Sequence, residues 1–324
     1  MENKIINWGV IGCARIANSA VIPGIKSASN ANLYAIASRS AEKLDEYSKM
    51  HNPVKTYQSY MDLLEDPKID VVYIPLPNSL HCEWVIKAAE HKKHILCEKP
   101  LGITAKEVEV MCDACTKNGV LLMEAFPYRH SPLTHKVKSL VDSGEIGKLK
   151  FIEANFSFIL SNMGSIKLIK NLGGGATYDI GCYNLNVIRY IAGSEPLSIF
   201  ATGEIGENSR VDESSCIMME FKDDLKAVSY CSINSMDRCG YTIIGETGVI
   251  EVPVKFNTKG TVNITLKTRR ETTEINIDCP DNYMLEVEQF GRCIIGQELP
   301  LVDLEDSYNN AKVIDESLNK IFNR

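Results

Sequence analysis

Ile5-Ile6-Asn7-Trp8-Gly9-Val10-Ile11-Gly12-Cys13-Ala14-Arg15-Ile16-Ala17 is the stretch that decides the fold. Its first seven residues read as a buried strand, and the residues after Gly12 open a helix that carries the chain to about Ser27. A strand, a tight glycine turn and a helix make up the dinucleotide-binding fingerprint. Here Gly12 takes the turn, Ala14 stands at the second glycine position, and Ala17 fills the third, where helix meets strand. The methyl group of Ala14 narrows the approach of a pyrophosphate, yet the unpaired N–H groups of the helix start still point at it. Gly12, Ala14, Arg15 and Ile16 are therefore the first cofactor-binding candidates.

The next apolar run, Leu33 to Ala37, ends in Ser38-Arg39-Ser40. A domain built for NAD usually carries Asp or Glu there, roughly 20 residues after the glycines, to hold the ribose hydroxyls. Hydroxyls and a guanidinium donate instead to a 2′-phosphate and do not repel its charge. NADP(H) is thus expected over NAD(H), with Arg39 as the main contact and Ser38 in support.

Three more strand-and-helix units follow, with strands at Asp70 to Ile74, His94 to Cys97 and Val120 to Ala125. This alternation is that of a Rossmann-type, doubly wound parallel sheet. The fourth of its strands, His94 to Cys97, runs into Glu98-Lys99-Pro100, and Pro100 biases Lys99 away from helical geometry. Strand pairing should stop there, with the ammonium group facing the crevice where such sheets hold ligands.

Beyond about residue 126 the composition turns β-rich. Strands are expected at Lys148 to Phe158, Leu197 to Ile205, Ser214 to Phe221, Ala227 to Ile233, Tyr241 to Gly245, Val249 to Val254 and Val262 to Lys267. Two helices, Tyr283 to Gly296 and Asp303 to Phe322, close the chain. The expected organisation is a Rossmann domain over residues 1–125 and an α+β domain with an open, mostly antiparallel sheet over 126–324. The second is read as the domain for substrate and oligomerisation, with the C-terminal helix able to pack back on the first. Before the second domain's remaining strands, Gly173-Gly174-Gly175 permits close backbone approach. On the helix after it, Asp179 and Tyr183 stand four apart and share a face.

The chain has 324 residues, a net charge of -7, 44% hydrophobic and 24% charged residues. That is the balance of a soluble globular protein of two domains, and the acidity argues against nucleic acid as a partner. No apolar run approaches the roughly 18 residues of a membrane span. The eleven cysteines lack the tight spacings of a disulfide scaffold and suit a reducing cytoplasm. Cys112 and Cys115 fall inside a helical pattern with no second pair at zinc-finger spacing, so no metal site is expected.

Five motifs in order resemble the Gfo/Idh/MocA family: Gly12 to Ala17, Pro77-Asn78-x-x-His81, Glu98-Lys99-Pro100, Glu124-Ala125-Phe126-x-Tyr128-Arg129, and Gly173-Gly174-Gly175-Ala176-x-x-Asp179-x-Gly181-x-Tyr183. The resemblance implies a nicotinamide-dependent oxidoreductase acting on sugars and related polyols. It also implies that Leu76, Pro77, Asn78 and His81 line the cofactor, that Glu98 and Lys99 lie beside the nicotinamide ribose, and that Arg129 contacts the cofactor. His81 and Glu98 read equally well as structural hydrogen-bonding groups. Many members carry His where this chain has Tyr183; the tyrosine resembles the branch of glucose-fructose oxidoreductase, dimeric dihydrodiol dehydrogenase and NADP-dependent xylose dehydrogenases. A phenol with an ordinary pKa of about 10 needs help near neutrality, which the Lys99 ammonium would supply. Catalytic roles are thus expected for Lys99, Tyr183 and Asp179, and substrate contacts for Lys167, Asn155 and Asn186. A trans-dihydrodiol or dicarbonyl reductase, and a non-catalytic NADP-binding regulator, are the alternatives. The uncovered face of the second sheet points to a homodimer or a dimer of dimers.

Overall fold

β1 (Ile6–Ile11) pairs in parallel with β2 (Ala31–Ala37) on one side and β4 (Val71–Ile74) on the other. With β3 (Lys55–Tyr57), β5 (His94–Glu98) and β6 (Leu122–Ala125) they form a six-stranded sheet in the order β3-β2-β1-β4-β5-β6. Every pairing is parallel, and the order reverses between β1 and β4, the point at which such sheets hold ligands. All four residues of β4 are buried, so both faces of the sheet are covered and its strands are continuous apolar runs. Fully buried residues such as Val10, Ile36, Val72 and Ile95 contribute about 1.5–3 kcal/mol each.

The computed structural model describes residues 4–323, which divide into two units. One takes in the chain up to Gly102 together with Lys106–His130 and Pro280–Tyr308; the other holds Ile103–Ala105, Ser131–Cys279 and the chain from Asn309 on. In the first unit, α8 (Asn282–Ile294) returns late in the chain to pack against early residues. The Phe290 ring meets Trp8 edge-on at 6.3 Å, and Asn30 Nδ2 donates to the Glu288 carbonyl at 2.9 Å. The helix expected after the fingerprint starts with a widened π-type turn, Ala17–Val21, and continues as α1 (Ile22–Ser27). Pro23 has no N–H for the preceding turn, where Ile22 N–H reaches back five residues to the Ala17 carbonyl.

Among the elements not foreseen are β3, α2 (Ala41–His51) and α3 (Tyr60–Glu65), short and rich in polar residues. The helices α4 (His81–Glu90) and α5 (Ala105–Asn118) fall where expected. Cys115 on α5 is buried and burial pushes its thiol up to about 12, while Cys112 is pushed up to about 11. Both therefore serve as packing groups in α5 at neutral pH.

The second unit is built on an eight-stranded sheet around β7 (Leu149–Ile159). Its order is β14-β13-β12-β11-β7-β10-β9-β8. The strands are β8 (Ser198–Ile205), β9 (Asp212–Glu220), β10 (Lys226–Ser232), β11 (Asn234–Gly245), β12 (Gly248–Val252), β13 (Gly260–Thr268) and β14 (Thr272–Cys279). Only β7 and β10 pair in parallel. β14 escaped the sequence because its polar residues outnumber Ile275, Ile277 and Cys279, as befits an edge strand with one wet face. Helix α7 (Cys182–Ala192), closed by left-handed Gly193 at φ 64°, lies on the face carrying Phe156, while α6 (Pro132–Asp142) and α9 (Leu304–Phe322) complete the helices. Among the described residues no helix is long and apolar enough to cross a membrane.

Candidate active site

Parallel strands deliver their carboxyl ends to one edge, so Gly12, Ser38, Leu76 and Lys99 follow β1, β2, β4 and β5 there. Gly12 has φ 108° and donates its N–H to the Ala37 carbonyl at 2.8 Å. A Cβ at this position would fall 2.9 Å from Leu76 Cδ2, so the fingerprint turn and the loop after β4 interlock only around a glycine. Tyr47 donates its hydroxyl to the Ala14 carbonyl at 3.0 Å, fixing the start of the helix; Arg15 is exposed and Ile16 half-buried.

At the end of β2, Ser38 is buried and its Oγ accepts the Ser40 N–H at 3.2 Å. The exposed Arg39 guanidinium lies 5.6 Å over the Tyr60 ring. Ser40 caps α2 by accepting the Lys43 N–H at 3.3 Å. Burial raises the Cys13 thiol in the fingerprint turn, and the Ser38 hydroxyl and the Lys43 charge oppose that rise. The sequence reading missed Lys43, although a Ser cap followed three residues later by Lys was visible.

Two expected cofactor contacts have other work. His81 is fully buried, with Nδ1 3.0 Å from the Pro100 carbonyl and Nε2 2.8 Å from the Leu76 carbonyl. It ties the loop after β4 to the loop after β5, and burial lowers its pKa. Arg129 pairs with Asp306 at 2.6 Å and donates Nη2 to the Leu301 carbonyl at 3.2 Å. That guanidinium clasps the segment leading into α9, and His81 fits the structural hydrogen-bonding reading. Pro77 and Asn78 form the half-buried turn before α4.

Glu98 is buried and accepts the Tyr73 hydroxyl at 2.6 Å, while its second oxygen accepts the Lys99 N–H at 3.3 Å. The carboxylate thus holds the backbone from which the half-buried Lys99 projects; the Lys99-Pro100 peptide is cis. Behind it Glu286 of α8 is fully buried, with His130 Nε2 3.9 Å from its Oε1. Burial and then the Glu98 charge push Glu286 well above the usual carboxyl range, which favours its neutral form. Nothing in the local sequence marked Tyr73 or Glu286, because both come from elements read as core.

In the second unit the glycine run shapes the loop before α7. A Cβ on Gly174 would lie 2.6 Å from the Lys167 carbonyl oxygen, and Gly175, at φ 132°, donates its N–H to that oxygen at 2.9 Å. The fold-back brings Lys167 Nζ to 2.6 Å from Asp179 Oδ2 and 4.8 Å above the Phe158 ring. Tyr183 is buried against Phe156 at 6.1 Å and Phe256 at 5.3 Å between ring centroids. Asn257 Nδ2 donates to its phenolic oxygen at 3.3 Å. Asn257 and Phe256 come from the segment between β12 and β13, which carried no recognisable signal. Asn186, fully buried, is on the Asp179–Tyr183 stripe one turn further on.

Asn155 does not belong with them. β7 alternates regularly through its pairing with β10, so Asn155 faces the opposite side of the sheet from its neighbour Phe156 and hence from Tyr183. It shares that side with Met218 and Tyr230, and the structure removes it from the substrate contacts.

The first unit thus offers an anion-binding turn, a cationic strand end and a lysine held by a buried carboxylate; the second offers a buried phenol and a carboxylate on one helix face. The Gly12 turn, with its positive φ, and Arg39 at the end of β2 fit a phosphorylated dinucleotide. Among the described residues no group of three or more His, Cys, Asp or Glu is placed to hold a metal ion.

Residues 6–126 match the family described as "Oxidoreductase family, NAD-binding Rossmann fold", and residues 134–251 match the "GFO/IDH/MocA C-terminal domain". The D-xylose 1-dehydrogenase (NADP(+)) 2 of Haloferax volcanii is 35% identical over 95% of each chain. The trans-1,2-dihydrobenzene-1,2-diol dehydrogenase of Xenopus tropicalis is 31% identical over 97% of each. A 3-ketoreductase from Actinomadura kijaniata, crystallised with NADP and TDP-benzene, superposes with a TM-score of 0.93 at 25% identity, covering 98% of both chains. Its solved forms include a tyrosine-to-phenylalanine variant and lysine variants.

Proposed function

Because the chain belongs to the Gfo/Idh/MocA oxidoreductases, we propose that it is an NADP(H)-dependent enzyme that oxidises or reduces a carbon bearing oxygen in a sugar or related polyol. The unit built on the parallel sheet holds the cofactor and the unit built on the eight-stranded sheet holds the substrate. The observation that carries this reading is the pairing, on one chain, of a Ser38-Arg39 strand end suited to a 2′-phosphate with a buried tyrosine whose phenol faces a polar group. The relatives named for NADP(+) and for a sugar or a diol support it.

The nicotinamide, when bound, supplies or accepts the hydride. Tyr183 gives a proton to the substrate oxygen during reduction and takes it back during oxidation. Asn257 Nδ2, donating to the phenolic oxygen, favours the phenolate that oxidation needs. Lys99 is assigned a catalytic role beside the nicotinamide ribose, and Glu98 holds the backbone from which it projects. The lysine and tyrosine altered in the ketoreductase variants stand as many residues apart as Lys99 and Tyr183 do, which supports assigning them as a pair. Asp179 orients a substrate hydroxyl and shares it with Lys167, its ion-pair partner. Asn186 backs this helix face.

Incubation with NADP+ and a panel of aldoses and diols, followed by absorbance of the reduced cofactor, tests the reading. Turnover on aldoses is expected, with Tyr183→Phe lowering kcat by about a hundredfold to ten-thousandfold and leaving NADPH affinity unchanged. Turnover confined to trans-diols, or to dicarbonyls in reverse, would instead favour the reading that the dihydrodiol relative supports. Tight NADPH binding with no turnover on any of them would leave a regulator. Eleven thiols with no disulfide fit a cytoplasmic setting, and the chain is proposed to work as a homodimer or a dimer of dimers.

A further inference from the structure

Asp212 is a residue that neither the motifs nor the chemistry above uses. It stands at the start of β9, is 1% exposed, and its Oδ2 accepts the Thr177 N–H at 2.7 Å. Thr177 begins the helical segment that runs through the π-type turn Thr177–Gly181 into α7, so this is one of the unpaired N–H groups at a helix start. Asp212 therefore acts as a cap supplied from another element, on the helix that carries Asp179 and Tyr183.

Three details show that the contact is built. The register of β9 against β8 shifts between Glu204, opposite Ser214, and Ile205, opposite Asp212. The extra residue, Glu213, makes a bulge, and a bulge re-aims the side chains beside it. As a result Asp212 and Ser215, three apart on one strand, both meet Thr177; Ser215 Oγ lies 2.9 Å from Thr177 Oγ1 and 3.1 Å from Cys231 Sγ. On the other side, a Cβ at Gly175 would lie 2.2 Å from Asp212 Oδ1, so the third glycine of the run is what admits the carboxylate.

We propose that Asp212 is a positioning residue for the reaction, holding the start of the Thr177–Ala192 helix so that Asp179 and Tyr183 are presented in one fixed orientation. The proposal rests on the proton-transfer role assigned to Tyr183. The groups that face Asp212 from the helix and from β9, Thr177 and Ser215, are uncharged; the titratable group facing it from β10 is Cys231, itself pushed up to about 12 by burial. Burial raises Asp212 to about 6 against the opposing effect of the Thr177 hydrogen bonds. The sign follows: a carboxyl raised on folding favours the protonated fold, and that contribution is lost as pH rises through about 6. At neutral pH the chain holds this carboxylate ionised at a cost in stability, while the ionised form is the one that accepts from Thr177 with both oxygens available.

Hydrogen exchange of the segment 175–183, corrected for intrinsic rate, tests the contact in wild-type protein at pH 5.5 and 7.5 and in Asp212→Asn. Protection of the Thr177 amide is expected to fall on going to pH 5.5 in the wild type, where the neutral carboxyl is the weaker acceptor, and to be independent of pH in the variant, whose amide oxygen is a weaker acceptor at both pH values. In parallel, Asp212→Asn should keep or raise its Tm at pH 7.5, bind NADPH as the wild type does, lose about tenfold in kcat, and lack the acid limb of kcat near pH 6. Equal protection of the wild type at both pH values, or wild-type kcat and pH profile in a folded Asp212→Asn, would overturn the proposal. A wild-type chain that turns over no substrate would defeat the oxidoreductase reading, while the exchange result would still decide whether Asp212 holds the helix.

Discussion

Arg39 shows how a single side chain sets a preference before any ligand is present. Its guanidinium is exposed and lies over the Tyr60 ring. A charge-assisted hydrogen bond to a 2′-phosphate contributes about 1.5–3 kcal/mol, or roughly ten- to a hundredfold in affinity. Arg39→Ala should therefore weaken NADPH binding by that factor and leave NADH binding nearly unchanged, as read by fluorescence titration; equal weakening of both cofactors would return Arg39 to a packing role. Arg39 was singled out because the positions after β2 are where such a domain meets the ribose of its cofactor. His81 and Arg129 were harder, since a motif states which residue type stands at a place without stating what it touches. Both are polar groups that satisfy buried backbone carbonyls or a carboxylate, and burial of those partners is a property of the folded chain.

At the level of elements, alternation and glycine punctuation exposed most of the architecture. Five of the six parallel strands and the long β7 follow from apolar runs separated by turn residues. The elements that stayed hidden, β3, α3 and β14, are short or lie at sheet edges, where less of each strand is buried and less apolar sequence is needed. Asn155 was misplaced for a related reason: the sequence marks it as polar in an apolar strand, but only the pairing of β7 with β10 tells which face it occupies. The glycine run before α7 carries the sharpest consequence. A methyl group at Gly174 would press on the Lys167 and Ile166 carbonyls, at 2.6 and 3.0 Å, and neither is the flexible end of a side chain. Gly174→Ala should cost about 1–3 kcal/mol of stability through overpacking. It should also move Lys167 away from Asp179, raising KM more than it lowers kcat. Thermal unfolding with steady-state kinetics would show both effects, and a wild-type Tm with wild-type KM would mean that the loop simply shifts as a body.

At the scale of the whole molecule, the eight-stranded sheet presents one face to α7 and leaves the other with exposed apolar groups. Phe200, Met218, Tyr230 and Ile244 are 53%, 38%, 38% and 37% exposed and project from four strands, β8, β9, β10 and β11. Phe200 and Met218 are directly opposite in register, and Met218 is opposite Val228, so these three side chains form an apolar row across β8, β9 and β10. Side chains of alternating parity, such as Ile199, Ile217, Ala227 and Ile243, are buried, which shows that the exposure belongs to a face and is not scattered. A self-complementary surface of this kind suits a two-fold partner, and a stable interface needs about 800 Å² from each copy. A second copy of this chain is the expected occupant, with the acidic net charge of -7 keeping the remaining surface from association. Phe200→Glu with Met218→Glu places two like charges side by side in that row, and each would have to be desolvated in the interface. Light scattering at micromolar concentration should give a dimer or a dimer of dimers for the wild type. The double variant should give a smaller species with an unchanged circular dichroism spectrum, because both side chains project away from the buried face. A monomeric wild type, or a double variant of undiminished size, would show that this face does not hold the copies together.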